Sequence, residues 1–148
     1  MVLLIISILI DQLSKYFACN ITEEITIIPN LLSLDFVKNY GAVFGIMQGS
    51  NYIMAVVSFI ICVAITLYII NQKKNSKNVN IAWYMILSGG IGNLIDRIVR
   101  GYVVDFIATP FIATFNIADS MVVIGVVLLI FNEVRELVKE NKKKENEK

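Results

Sequence analysis

The sequence predicts an all-α membrane protein: four transmembrane helices, both termini in the cytoplasm, and a small extracytoplasmic β-containing loop. Three observations carry that prediction. Hydrophobic residues make up 57% of the 148-residue chain and mean hydropathy is +0.71, where soluble domains run at about 45–50% apolar. The apolar residues fall in long runs. The basic residues are shared unequally between the connecting segments.

The elements follow in chain order within one domain, 1–148. The first helix is placed at 2–18, apolar except for Ser7, Asp11, Gln12, Ser14 and Lys15. An outer loop spans 19–51. In it Ile25 and Ile27, then Leu32, Leu34 and Phe36, alternate around Pro29 and Asn30, which predicts two short strands and a turn. The following NYGAVFGIMQG (39–49) is rich in glycine and apolar residues, as expected of a loop lying on a membrane surface. Tyr52 to Ile70 is 19 residues without a charge, close to the roughly 20 apolar residues that cross a bilayer. This gives a helix at 52–70. The third helix, 80–99, carries Ser88, Gly89, Gly90, Gly92 and Asn93, and its small residues allow close helix approach. A second outer loop covers 100–116. The fourth helix, 117–137, is built on the apolar run Met121 to Phe131, and 138–148 is read as a solvated, frayed cytoplasmic tail.

Charge sets the orientation. Lys73, Lys74, Lys77, Arg135, Lys139, Lys142, Lys143, Lys144 and Lys148 put nine of the 13 basic residues on one side. Lys15, Lys38, Arg97 and Arg100 lie elsewhere. Positive residues stay in the cytoplasm, so loops 19–51 and 100–116 face outward.

Composition also excludes chemistry. The chain has no histidine, which removes Ser-His-Asp and Cys-His catalysis and HExxH zinc sites. Cys19 and Cys62 form no CxxC and suggest neither metal nor disulfide. Net charge is +1, so nothing favours nucleic acid as a partner.

Ionisable groups in a membrane segment cost roughly 2.5–3.5 kcal/mol each and need a reason. Asp11 and Lys15, four apart, share a helix face: a local ion pair, or part of a site. Asn93 and Arg97 are also four apart, with Asp96 beside them. Asp96 and Arg97 can be read as an interfacial charge pair. Asp105 interrupts the apolar YVVDFI. Asn116 reads as a helix N-cap and Asp119 as a complement to the helix dipole, or both as site residues. The topology puts Asp105 and Asp119 at one membrane face. Two close carboxyls in low dielectric share a proton. One can then take a proton from water while the other donates to a carbonyl, with no histidine, metal or cofactor.

DQLSK (11–15), NYGAVFG (39–45), GNLIDRIVRGYVVDF (92–106) and FNIADS (115–120) occur in an order that resembles the lipoprotein signal peptidases, or signal peptidase II, an aspartyl peptidase family. The resemblance covers essentially the whole chain. It implies a hydrolase with Asp105 and Asp119 as catalytic acids. Asp11, Asn93, Arg97 and Asn116 would support the dyad, and Asn39 and Gly41 would belong to a loop closing over substrate. It implies a bacterial cytoplasmic-membrane enzyme acting near the extracytoplasmic face. Its substrate would be a diacylglyceryl-modified prolipoprotein, cut just before the lipidated cysteine. Membrane lipids are the expected surroundings, and the lipopeptide globomycin the expected inhibitor. No cofactor is implied, and a four-helix bundle with one internal site is expected to be a monomer.

Three other readings compete. A proton-coupled carrier also uses intramembrane acids, but here the polar residues gather at one face and no inverted repeat is visible. A scaffold subunit leaves the paired aspartates unexplained. YFAC (16–19) faintly resembles a lipobox, but Asp11 and Lys15 interrupt the apolar region it requires.

Overall fold

The computed structural model describes residues 1–41, 51–71 and 77–146. Its elements are α1 (Val2–Ala18), β1 (Ile25–Ile28), β2 (Leu32–Asn39), α2 (Asn51–Asn71), α3 (Lys77–Val99), β3 (Val103–Ala108) and α4 (Ile117–Asn146). Helix α3 is the centre of the bundle and packs on α4, α2 and α1.

The helices are built inside out relative to a soluble protein. On α1 the buried residues are Ser7, Asp11, Lys15 and Ala18. They recur at three and four residues and form one stripe. Leu3, Ile6, Leu9, Ile10, Leu13 and Phe17 point outward. Helix α2 buries Cys62 alone, and just 6% of its apolar stretch lies inside the protein. Such a surface needs a lipid solvent. Among the described residues, α2 and α4 are long and apolar enough to cross a membrane by themselves. Helix α1 is shorter, at 17 residues.

Glycines set the closeness of α3. A Cβ on Gly89 would collide with the Ala118 carbonyl, and one on Gly92 would sit 2.5 Å from Oδ2 of Asp11. Gly92 therefore makes room for a carboxylate as well as for a helix.

The two strands expected around Pro29 form, with Asn30 at φ 58° in the turn, a left-handed position that asparagine tolerates. A third strand departs from the expected outer loop 100–116. Strand β3 lies antiparallel to β2, opposing Val37 to Asp105 and Asn39 to Val103, and completes the order β1-β2-β3. Val103 to Phe106 are all buried, so no alternation marked the strand in the sequence. Ala18, Val104 and Phe106 form a small core joined by Leu34, Phe36, Ile107 and Ile117. That core seats the sheet against the ends of α1 and α4.

Helix α4 also departs from expectation. It continues beyond 137 through Asn146, where a frayed tail was expected. The segment is rich in Glu and Lys, good helix formers, and Lys139 pairs with Glu136 at 2.6 Å. The membrane-surface reading of 39–49 falls mostly on residues 42–50, outside those described, as do Lys73, Lys74 and Lys148.

Candidate active site

The N-terminus of α4 organises the site. Asn116 precedes the first helical residue, where asparagine satisfies free backbone N–H groups. Its Oδ1 accepts from the Asp119 backbone N–H at 2.9 Å, and its own N–H donates to Asp119 Oδ2 at 3.1 Å. This is a capping box with aspartate at the third helical position. The helix-cap readings of Asn116 and Asp119 are therefore both realised, and they do not compete with a place in the site. The cap turns the Asn116 amide nitrogen outward, where it donates to Asp105 Oδ1 at 2.6 Å and Asn93 Oδ1 at 3.1 Å. One residue thus bonds both Asp105 and Asp119.

Two more asparagines aim amide nitrogens at the acids. Asn39 Nδ2 donates to Asp105 Oδ2 at 2.9 Å while its Oδ1 accepts from the Gly41 N–H at 3.0 Å. Asn93 Nδ2 donates to Asp119 Oδ1 at 2.8 Å, and its Oδ1 accepts from the Lys15 ammonium at 2.8 Å. Each amide is oriented by a group that can only donate: a backbone N–H for Asn39 and Asn116, an ammonium for Asn93. The nitrogens must then face the carboxylates.

Asp105 and Asp119 open onto one cavity of about 1080 Å³. Asn39, Gly41, Asn93, Arg97, Phe115 and Val122 are among its walls. Asp105 is 2% exposed. Its carboxyl is pushed up to about 6, chiefly by burial and also by the Asp119 charge, against the opposing hydrogen bonds from Asn39 and Asn116. Arg97 faces the same space. Its guanidinium donates to the Gly41 carbonyl and the Asn93 carbonyl, each at 3.4 Å. The expected Asp96–Arg97 charge pair is not formed. One position apart on a helix, the two side chains point in different directions, and Asp96 turns instead to Lys15 and Arg100.

These residues belong to a buried ion cluster that the sequence reading did not assemble. Lys15 and Asp96 are 0% exposed and Asp11 is 1%. Lys15 pairs with Asp11 at 2.9 Å and Asp96 at 3.1 Å, and Arg100 pairs with Asp96. Gln12 donates to the Gly92 carbonyl at 3.1 Å and accepts from Arg100 at 3.2 Å. Asp11, expected at the site, does not line the cavity; its Oδ1 accepts from the Ala118 N–H at 2.9 Å. Asp96 Oδ2 accepts from the Val104 N–H at 3.0 Å. The Asp11–Lys15 pair and a connection to the site thus coexist. Spacing of four pointed to Asp11–Lys15; the same spacing relates Asp96 to Arg100, a pairing passed over in favour of Asp96–Arg97, and the bond from Lys15 to α3 left no local signal.

Two carboxyls on one largely apolar cavity, each held by amide donors, are equipped to activate a water and protonate a carbonyl.

Known proteins share this arrangement of sequence and fold. The chain is 40% identical to a lipoprotein signal peptidase of Streptococcus agalactiae serotype Ia over 135 residues, 87% of each chain. It is 37% identical to one of Clostridium novyi over 142 residues, 90% of this chain and 96% of that one. Among solved structures, a bacterial membrane enzyme obtained by the in meso method at 2.3 Å superposes with a TM-score of 0.85 at 30% identity, covering 92% of this chain and 87% of the other. The Peptidase A8 family model, signal peptidase (SPase) II, matches residues 3–135. With nearly its whole length matched in sequence and in fold, the chain belongs to the signal peptidase II family and is a peptidase of the aspartyl type.

Proposed function

We propose that this protein removes signal peptides from prolipoproteins in the bacterial cytoplasmic membrane, with Asp105 and Asp119 as its catalytic dyad. The observation that carries this reading is that both acids line one cavity and both accept hydrogen bonds from Asn116. The dyad holds one proton and one water. The ionised acid takes a proton as the water oxygen bonds to the scissile carbonyl carbon, and the protonated acid donates to the carbonyl oxygen. Collapse breaks the C–N bond, the nitrogen takes a proton from the dyad, and a carboxyl and an amine leave. Asn39, Asn93 and Asn116 orient the acids, and Arg97, held by the Gly41 carbonyl, steadies their charge.

The proposed substrate is a diacylglyceryl-modified prolipoprotein, cut just before the lipidated cysteine. Its acyl chains would remain in lipid while the peptide enters the cavity between Val122, Val123 and Met54. Helices α1 to α4 would all span the bilayer with both ends of the chain in the cytoplasm, within one domain, 1–148. Arg135, Lys139 and Lys142 on the far end of α4 support that orientation. The sheet and the two acids then lie at the extracytoplasmic face. A globomycin-like lipopeptide would occupy the same cavity, and the enzyme would work as a monomer.

The test is cleavage of a diacylglyceryl-modified prolipoprotein by the purified protein in lipid, beside Asp105→Asn and Asp119→Asn. Cleavage before the lipidated cysteine, with a loss of about 10²–10⁴-fold in each folded variant, is expected for removal of an acid–base group. Near-normal activity of either variant refutes the dyad.

A further inference from the structure

The buried cluster reaches the two acids through the backbone. Asp96 accepts from the N–H of Val104, the residue before Asp105. Asp11 accepts from the N–H of Ala118, the residue before Asp119. Two carboxylates on different helices therefore each hold the backbone N–H of the residue just before one of the acids. Lys15 joins them: its ammonium bonds Asp11 at 2.9 Å, Asp96 at 3.1 Å and Asn93 Oδ1 at 2.8 Å. An ammonium has three N–H donors, and here three acceptors use them. The third bond leads through Asn93 to Asp119 itself.

We propose that Lys15 is a positioning residue that fixes the separation of Asp105 and Asp119, through Asp96 to the strand that carries the first and through Asp11 and Asn93 to the helix that carries the second. This rests on the dyad proposed above. Charge neutralisation alone does not account for the geometry. Arg100 already pairs with Asp96, so a cation bound to Asp11 alone would balance the cluster. Lys15 instead reaches across from α1 to α3 and spends its last proton on an uncharged amide.

The experiment compares Lys15→Met with the charge-balanced double variant Asp11→Asn/Lys15→Met, which keeps Asp96 on Arg100 and an oxygen for the Ala118 N–H. Both are assayed on the diacylglyceryl prolipoprotein, with Asp105→Asn and Asp119→Asn alongside. A misplacement of ~1 Å costs on the order of 10²-fold, so kcat is expected to fall by about that factor in both folded variants. KM is expected to stay within about threefold, since binding in the cavity does not use Lys15. If the double variant keeps kcat within about tenfold of wild type, Lys15 is a counter-charge and the proposal is overturned. A change confined to KM overturns it too. Failure of both variants to fold assigns Lys15 to bundle assembly and has the same consequence. Should Asp105→Asn or Asp119→Asn remain active, the dyad reading fails, and that result is separate from anything seen at Lys15.

Discussion

Asn116 and Asp119 cap one another: the side-chain oxygen of Asn116 takes the backbone N–H of Asp119, and the carboxylate of Asp119 takes the backbone N–H of Asn116. Stability of α4 and placement of the proposed dyad are thus properties of the same two residues, and substitutions can separate them.

Asn116→Ser keeps a good N-cap but has no amide to offer Asp105. Its unfolding midpoint should stay near wild type, while kcat falls on the order of 10²-fold, the scale of losing one donor to a reacting group. Asn116→Ala should show that kinetic loss and, in addition, about 1 kcal/mol less stability from the missing cap. Thermal unfolding in detergent, paired with peptide cleavage, checks both. Equal stability losses in the two variants would contradict the division.

The pH dependence of stability should carry the mark of Asp105. Its carboxyl lies at about 6 in the fold against 3.8 for the ordinary group. The folded protein therefore holds a proton that the unfolded chain has released. This contribution is fully present below about 3.8, is lost as pH rises through about 6, and is flat above; the span is on the order of 2–3 kcal/mol. In Asp105→Asn the downward slope between those values should disappear. An unchanged slope in a denaturation series across that range would assign it elsewhere.

Gly92→Ala places a methyl group against the Asp11 carboxylate, whose Oδ2 would lie 2.5 Å away. The carboxylate also binds Lys15 and the Ala118 N–H, so it has no free direction to move. A loss of about 1–3 kcal/mol is expected from overpacking, together with reduced cleavage. Circular dichroism melting and the activity assay report the two effects. A fully stable, fully active variant would show that the cluster yields cheaply.

The proposed orientation is open to chemical labelling. In a background lacking Cys19 and Cys62, Asn30→Cys should react with a membrane-impermeant maleimide added to intact cells. Lys142→Cys should react only after the membrane is opened. The reverse pattern would invert the topology and put the two acids on the cytoplasmic side.

Much of this architecture was written locally, and the remainder was not. Helix α1 runs from Val2 to Ala18 as its apolar pattern predicted, and Pro29 with Asn30 marked the β1–β2 turn. Asp105, Asp119, Asn93 and Asn116 stood out because polar residues in apolar surroundings need partners, Asn39 entered through the family resemblance alone, and the structure brings these five together. Strand β3 was hidden because both its faces are covered, so YVVDFI shows no period of two. The extra length of α4 was hidden because a run of Lys and Glu suits a solvated tail as well as an exposed helix. Lys15 looked like half of a local pair, and its bonds to Asp96 and Asn93 join residues 81 and 78 positions apart, read off the chain numbering. Contacts of that range depend on how helices dock, which no local pattern encodes.

The ion cluster also bears on how such a chain enters a membrane. Asp11 and Lys15 are four apart on α1, and Asp96 and Arg100 are four apart across the end of α3. If α1 and α3 span the bilayer as proposed, each brings a counter-charge for its acid at one turn's distance. A lone charge at mid-helix would add roughly 2.5–3.5 kcal/mol to the insertion of that segment, and local neutralisation offsets part of it. In the proposed four-span topology the two segments would enter lipid separately, each with its acid already paired within one turn. When they dock, Lys15 gains Asp96 as a second partner without leaving its first.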